Sequence, residues 1–226
     1  ENGTTTVTPD TGYDALEKVN VTVATSGVDI NDYYTNTIQG SSNTSYLIRT
    51  IKKVPLFVIE GTFAGSMFSG CTNLQEIPLL DTSKITGAKS MFYNCSSLTT
   101  LPLLDTNKMS EVDYMFAGCT SLISVPEFDF SRVSTFTGLF SGCTNLANVP
   151  AFQFNSSYVY GSGLFTNCPN LSNESLNNAL LTFSRFPSSA SNKTLKQQGL
   201  SQEQADICIT LSNWDACLAK GWTTGY

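Results

Sequence analysis

Apolar residues recur through the middle of the chain with a short inner spacing. Val112, Met115, Phe116, Cys119 and Leu122 stand at i, i+3, i+4, i+7 and i+10, and Ala88, Met91, Phe92, Cys95 and Leu98 make the same set one unit earlier. That spacing predicts one buried face of a short helix. A brief strand is expected next, centred on Ile77, Leu101, Val125 and Val149 in successive units. Each is followed by a proline, which lacks an N–H and belongs at a strand end or edge, so the sheet should be narrow, about two or three residues per unit. Beyond the proline come a large apolar residue (Phe57, Leu80, Leu104, Phe128, Phe152) and a turn such as Asp81-Thr82-Ser83 or Asp105-Thr106-Asn107.

A longer outer period organises these units. Cys71, Cys95, Cys119, Cys143 and Cys168 follow one another at gaps of 24, 24, 24 and 25 residues. A second ladder, Pro55, Pro78, Pro102, Pro126 and Pro150, lies seven residues beyond the cysteine wherever a cysteine precedes it. The return from proline to cysteine varies from 16 to 18 residues, so one half of each unit is rigid and the other accepts insertions. A fixed period in this range marks stacked repeats that share one core. The expected fold is an α/β solenoid of about five coils over residues 51–171, with short parallel strands and short helices. Residues 1–24 read as a small β module, with the alternating run Val19-Asn20-Val21-Thr22-Val23 as a strand and Thr8–Gly12 as a turn. Residues 25–50 read as an irregular lead-in and N-terminal cap. Residues 172–226 read as a helical C-terminal cap, with helices from Ser172 to Phe183, from the capping box Ser201-Gln202-Glu203-Gln204, and over Asn213–Leu218.

Stacking also decides how to read the cysteines. One per coil, the five ladder cysteines are expected to be buried free thiols in the core, where Cys packs as a small hydrophobe. Cys208 and Cys217 are the one pair considered for a disulfide. Zinc sites want closely spaced Cys or His pairs; these thiols come singly and the chain has no His, so no metal is assigned. Met67, Met91 and Met115, continued by Leu139 and Leu164, read as core filler, with Met109 outside that ladder. If the thiol stack is wholly apolar, Cys119→Ser buries a hydroxyl without a partner and should destabilise strongly. Asp81, Asp105 and Asp129 form an acidic ladder broken by Gln153. Stacked carboxylates are Ca²⁺ chemistry, but capping their own turns is the favoured reading.

Composition narrows the function classes. Charged residues make up 13% of the chain and the net charge is −6, which argues against nucleic acid as a partner. The surface is left to Ser, Thr and Asn, as suits an extracellular or virion-exposed protein. No apolar run reaches bilayer-spanning length, so no membrane insertion is expected. The chain opens on Glu1-Asn2-Gly3 rather than Met, as expected of a piece processed from something longer. Without His the usual general base is missing, and neither a Gly-x-Ser-x-Gly elbow nor a phosphate-binding loop is present. Glu127 and Asp129 are the nearest thing to a repeat-borne carboxylate pair. No catalytic residue and no cofactor are assigned. Glu76, Thr100, Ser124 and Asn148 each precede an inward strand residue, so alternation turns them outward as a candidate ligand-binding surface. Tyr33, Tyr34, Tyr158, Tyr160 and Tyr226 are candidate sugar-stacking aromatics. Asn43, Asn170, Asn173 and Asn192 stand in glycosylation sequons.

The phrase Met-Phe-x-x-Cys-x-x-Leu-x-x-(Ile/Leu/Val)-Pro, followed by Leu-Asp-Thr-Ser, resembles the leucine-rich repeats of the BspA-like class, over residues 51–171. Asn2 to Leu16 is similar to a short module of tail-associated proteins of phages and prophages of Gram-positive gut bacteria. Leu211-Ser212-Asn213-Trp214, with Gly221 to Tyr226, is similar to the C-termini of repeat proteins from the same setting. These resemblances imply a non-enzymatic recognition or adhesion protein. The leading expectation is a tail-associated component that binds a bacterial surface polysaccharide or protein. The alternatives are a cell-surface adhesin that binds host matrix protein or other cells, and a structural spacer. All of these are extracellular, at a virion tail or a bacterial surface, with a homo-oligomer as a candidate state.

Overall fold

The computed structural model of the chain describes residues 4–7, 20–24, 57–60, 62–77, 80–155, 157–187 and 189–226. The Thr8–Gly12 turn, the 25–50 lead-in, Tyr33, Tyr34 and Asn43 lie outside these residues.

The apolar face read from the sequence is buried throughout. Val112, Met115, Phe116, Cys119 and Leu122 are solvent-inaccessible, as are their equivalents one coil earlier. The helix expected to carry them is not formed. Each coil instead runs through consecutive tight turns. Met91, Tyr93 and Cys95 donate their N–H groups three residues back, to Ala88, Ser90 and Phe92. The alternate N–H groups, those of Ser90, Phe92 and Asn94, leave the coil altogether. They donate to Asp113, Met115 and Ala117 of the next coil at 2.7–2.8 Å. The same trio recurs as Ser66, Phe68 and Gly70, as Tyr114, Phe116 and Gly118, and as Gly138, Phe140 and Gly142. A helix needs every one of these donors for its own i−4 carbonyl, so the lateral bonds and the helix exclude each other. Two left-handed residues per coil, four apart, make the turns. The pairs are Ser66 and Gly70, Ser90 and Asn94, Tyr114 and Gly118, Gly138 and Gly142, and Gly163 and Asn167. The second position is always Gly or Asn, the residues that reach this region at least cost.

Parallel pairing between coils is narrower than expected. Single bridges run Phe63–Gly87–Glu111–Thr135–Tyr160 along one row, and Ser124–Asn148 and Asp129–Gln153 along others. A true sheet forms at the N-terminal end. β1 (Thr4–Val7) pairs antiparallel with β2 (Asn20–Ala24), and β2 with β3 (Phe57–Glu60). β3 then pairs parallel with β4 (Leu80–Asp81), the start of the stacked coils. The alternating run around Val21 is therefore a strand, as its pattern requires.

Inside, one phenylalanine per coil stacks on the next. Phe68, Phe92, Phe116, Phe140 and Phe165 have ring centroids 5.2, 5.6, 5.8 and 6.0 Å apart and planes within 8° of parallel. The spacing matches one coil and gives each ring an offset aromatic neighbour. The ladder cysteines lie beside this column, all buried and free. Each thiol from the second coil onward has an acceptor: Cys95, Cys119, Cys143 and Cys168 donate Sγ–H to the carbonyls of Phe68, Phe92, Phe116 and Phe140 at 3.0–3.3 Å. The stack is thus not wholly apolar, which corrects the premise behind a strongly destabilising Cys119→Ser. Cys208 and Cys217 are also free, and Cys217 donates to Leu180 O at 3.0 Å, so the disulfide considered for them is not formed.

The C-terminal cap completes the last coil. α1 (Asn173–Ser184) is capped by Ser172, whose Oγ accepts the Ser175 N–H. The expected Ser201–Gln204 capping box is present at the start of α2 (Gln202–Cys208). α3 (Trp214–Leu218) is tied to α1 through Asn213 and Asn177. Side chains of α1 stand in for a further coil: Ser175 Oγ accepts from Val149 N–H, Thr182 Oγ1 from Phe152 N–H, and Asn178 donates to Val149 O. Gln197 and Gln198 carbonyls accept from Gly163 and Phe165, and Gln204 donates to Cys168 O. The ends of the stack's hydrogen-bond rows are therefore met with polar partners rather than left bare.

Candidate recognition surface

Leu74 and Ile77, Leu122 and Val125, and Leu146 and Val149 are buried three residues apart in successive coils, so the two residues between the members of each pair are turned away from the core. Glu76, Thr100, Ser124 and Asn148 are all exposed. Ser124 and Asn148 are direct bridge partners. The neighbouring backbone is stitched coil to coil, with Thr99 N–H on Gln75 O and Ala147 N–H on Ile123 O. The four side chains therefore form one row, with a step of about 4.8 Å per coil. Two apolar residues that pattern reading did not single out flank this row. Ile123 is 53% exposed and Leu103 68% exposed. The signal was there to find: the positions equivalent to Ile123 hold Gln75, Thr99 and Ala147, so a β-branched apolar residue is out of keeping with its column.

The acidic ladder does what turn chemistry asks of it. Asp81, Asp105 and Asp129 accept through Oδ1 from the N–H two residues on, of Ser83, Asn107 and Ser131, at 2.9–3.2 Å. Hydrogen bonds from Ser83 hold the Asp81 carboxyl below its ordinary range, and those from Ser131 do the same for Asp129. Between the carboxylates and the core lie Thr82 and Thr106. Both are buried, and their hydroxyls donate across to Asp105 O and Asp129 O. Lys84, Lys108 and Arg132 stand three residues after each aspartate, all exposed. Lys84 and Lys108 both favour the charged form of Asp81. This cationic column escaped the sequence reading although its spacing is as regular as that of the acids. Glu127 is exposed, and Asp129 is committed to its own turn.

The seven thiols are chemically quiet. Burial pushes Cys71, Cys168, Cys208 and Cys217 up to about 12, and Cys95, Cys119 and Cys143 higher still. Thiolate is the reactive form, so these side chains pack rather than react at neutral pH. Of the candidate aromatics, Tyr158, Tyr160 and Tyr226 are exposed. Tyr226 is engaged on the cap, its hydroxyl bonded to Leu200 O and Lys196 Nζ 5.0 Å from its ring centroid. Asn170 is exposed but donates to Thr144 O, the last step of a side-chain ladder through Ser96, Thr120 and Thr144 that ties the coils together.

Coils joined by lateral main-chain bonds, with one Phe and one Cys per turn, make this a repeat-solenoid protein. Residues 62–178, a little over half of the chain, match the family described as "Mycoplasma protein of unknown function, DUF285", and the chain belongs to that family. Among solved structures it is similar to a T. pallidum leucine-rich repeat protein, at 14% identity over 56% of this chain and 88% of that one, with a TM-score of 0.28. No curated protein matches it.

Proposed function

We propose that this chain is a non-enzymatic recognition protein of the BspA-like leucine-rich repeat class that binds a surface glycan or protein outside the cell. The observation that carries the reading is the row Glu76, Thr100, Ser124 and Asn148, exposed and held at coil spacing on a laterally bonded stack. Such a row offers a fixed series of polar groups to an extended partner, and binding then costs little ordering of the protein. Ile123 and Leu103 add apolar area at its border.

Two settings fit this role. The likeness of residues 2–16 to a module of tail-associated proteins, and of residues 211–214 with 221–226 to the C-termini of repeat proteins from the same setting, favours a phage or prophage component that contacts a bacterial surface. The family's description names Mycoplasma, which is in keeping with a protein carried by a bacterium itself, the setting of the adhesin alternative. The deciding experiment is binding of the fluorescently labelled chain to intact Gram-positive gut bacteria, in parallel with immobilised host matrix proteins. Binding to bacteria, competed by their wall polysaccharide and lost in Thr100→Arg/Ser124→Arg, is the expected result. Binding to host matrix alone would shift the assignment to the adhesin. Binding to neither would leave a structural spacer.

A further inference from the structure

The fifth coil departs from the others in the stretch after Gln153, where the cysteine gap lengthens to 25 residues. There Tyr158 and Tyr160 flank the buried Val159, so alternation turns both rings outward; they are 60% and 51% exposed. Tyr160 is the bridge partner of Thr135, and Thr135 of Glu111, so these three residues form one row across three coils. Beside the row, Asp113 is fixed twice. Its Oδ2 accepts from Thr135 Oγ1 and its Oδ1 from Thr137 N–H, both at 2.7 Å. A carboxylate held this way keeps its remaining lone pairs aimed in a set direction, and Glu111 lies exposed two residues away. The patch therefore sets two exposed aromatic rings at one end of a row that carries a hydroxyl (Thr135) and an exposed carboxylate (Glu111), with the oriented carboxylate of Asp113 beside it.

Resting on the recognition reading, we propose that this patch is a carbohydrate-binding site for a neutral glycan. A pyranose offers an apolar C–H face to a tyrosine ring and a rim of hydroxyl donors to carboxylate acceptors, and the patch presents both complements. A protein partner would want an apolar centre, whereas the two coils next to Tyr160 place Thr135 and Glu111 in its row. An anionic glycan would meet Glu111 and Asp113. From Glu111 to Tyr160 the row spans two coil steps, about 10 Å, the length of about two linked sugar rings. Tyrosine is suited to this role because its ring loses little rotamer entropy on contact.

The test is amide-resolved NMR titration of the isotopically labelled full chain with malto-, cello- and chito-oligosaccharides and with purified wall polysaccharide of a Gram-positive bacterium. Saturable shifts at Thr135, Tyr158 and Tyr160 are expected with at least one of them. Tyr160→Ala should weaken that binding roughly tenfold, a loss of about 1.4 kcal/mol, and Tyr226→Ala should leave it unchanged. No saturable shift with any of these sugars at millimolar concentration would overturn the proposal, as would full affinity in Tyr158→Ala/Tyr160→Ala. Cell binding that survives the double tyrosine variant but is lost in Thr100→Arg/Ser124→Arg would also sink it and leave the recognition reading in place. Sugar binding at Tyr160 without cell binding would uphold the patch and overturn cell recognition.

Discussion

Each ladder thiol combines two properties at one position: it fills space beside the phenylalanine column and donates to the coil before it. Phe92 O accepts both the Cys95 N–H and the Cys119 Sγ–H. In Cys119→Ser the hydroxyl keeps an acceptor, so the loss reduces to a smaller atom and a modest cavity. A cost of about 1–2 kcal/mol is expected, below the roughly 2–5 kcal/mol for Met115→Ala at an equally buried neighbouring site. Urea midpoints of the two variants check this; a serine penalty matching the methionine truncation would show that the carbonyl does not accept. Ionisation gives a second test. All seven thiols have folded-state values raised by burial above the ordinary 9.0. A raised value means the unfolded chain releases protons first. Their contribution is therefore fully present below pH 9 and is lost as pH climbs from there through the folded-state values. Stability measured by urea unfolding should fall steeply between pH 9 and about 11, and a flat profile across that window would contradict the burial of the ladder.

At the scale of one coil, the inward pattern was legible and the backbone was not. Spacing of i, i+3 and i+4 states which side chains face the core; it does not state where the backbone N–H groups go. A helix and a chain of tight turns satisfy the same pattern. The distinguishing mark was the residue before each cysteine, Gly70, Asn94, Gly118, Gly142 and Asn167, all left-handed. The other left-handed site leaves no such mark, since Ser66, Ser90 and Tyr114 occupy it. The same gap between pattern and backbone governed the recognition surface. Alternation placed Glu76, Thr100, Ser124 and Asn148 outward, but the lateral tie of Asp113 to Thr135 and Thr137 needed the coil register. Gly142 isolates the conformational requirement. Its φ is 77°, and an added Cβ would sit 3.6 Å from Gly118, in ordinary contact. Gly142→Asn should therefore be nearly neutral, whereas Gly142→Val should cost about 1–2 kcal/mol through its backbone alone. Equal unfolding midpoints for the two would show that space rather than φ sets the residue.

Across the whole molecule, stability is passed from coil to coil, so the terminal surfaces decide whether the stack exists alone or joins others. An open stack ends in unpaired donors and acceptors that match those of any second copy. α1 meets this with hydroxyls rather than another strand. Ser175 and Thr182 are buried polar residues whose oxygens take the Val149 and Phe152 N–H groups. Thr182→Val keeps the volume and removes the acceptor, leaving Phe152 N–H buried and unsatisfied, at a cost of about 1–3 kcal/mol. Thermal unfolding of Thr182→Val beside Thr182→Ser checks it, because serine restores the acceptor and should recover most of the loss. Removing the cap entirely strips more than these bonds. Leu176, Leu180, Phe183, Phe186 and Trp222 belong to the same buried core as the coils, and each such side chain contributes roughly 1.5–3 kcal/mol when buried. A chain ending at Leu171 should lose cooperative unfolding and associate through the bared fifth coil, with a mass by light scattering that rises with concentration. An unchanged mass and a sharp transition in that truncated chain would mean the coils carry their own stability. The polar groups of α1 would then serve another purpose than closing the stack.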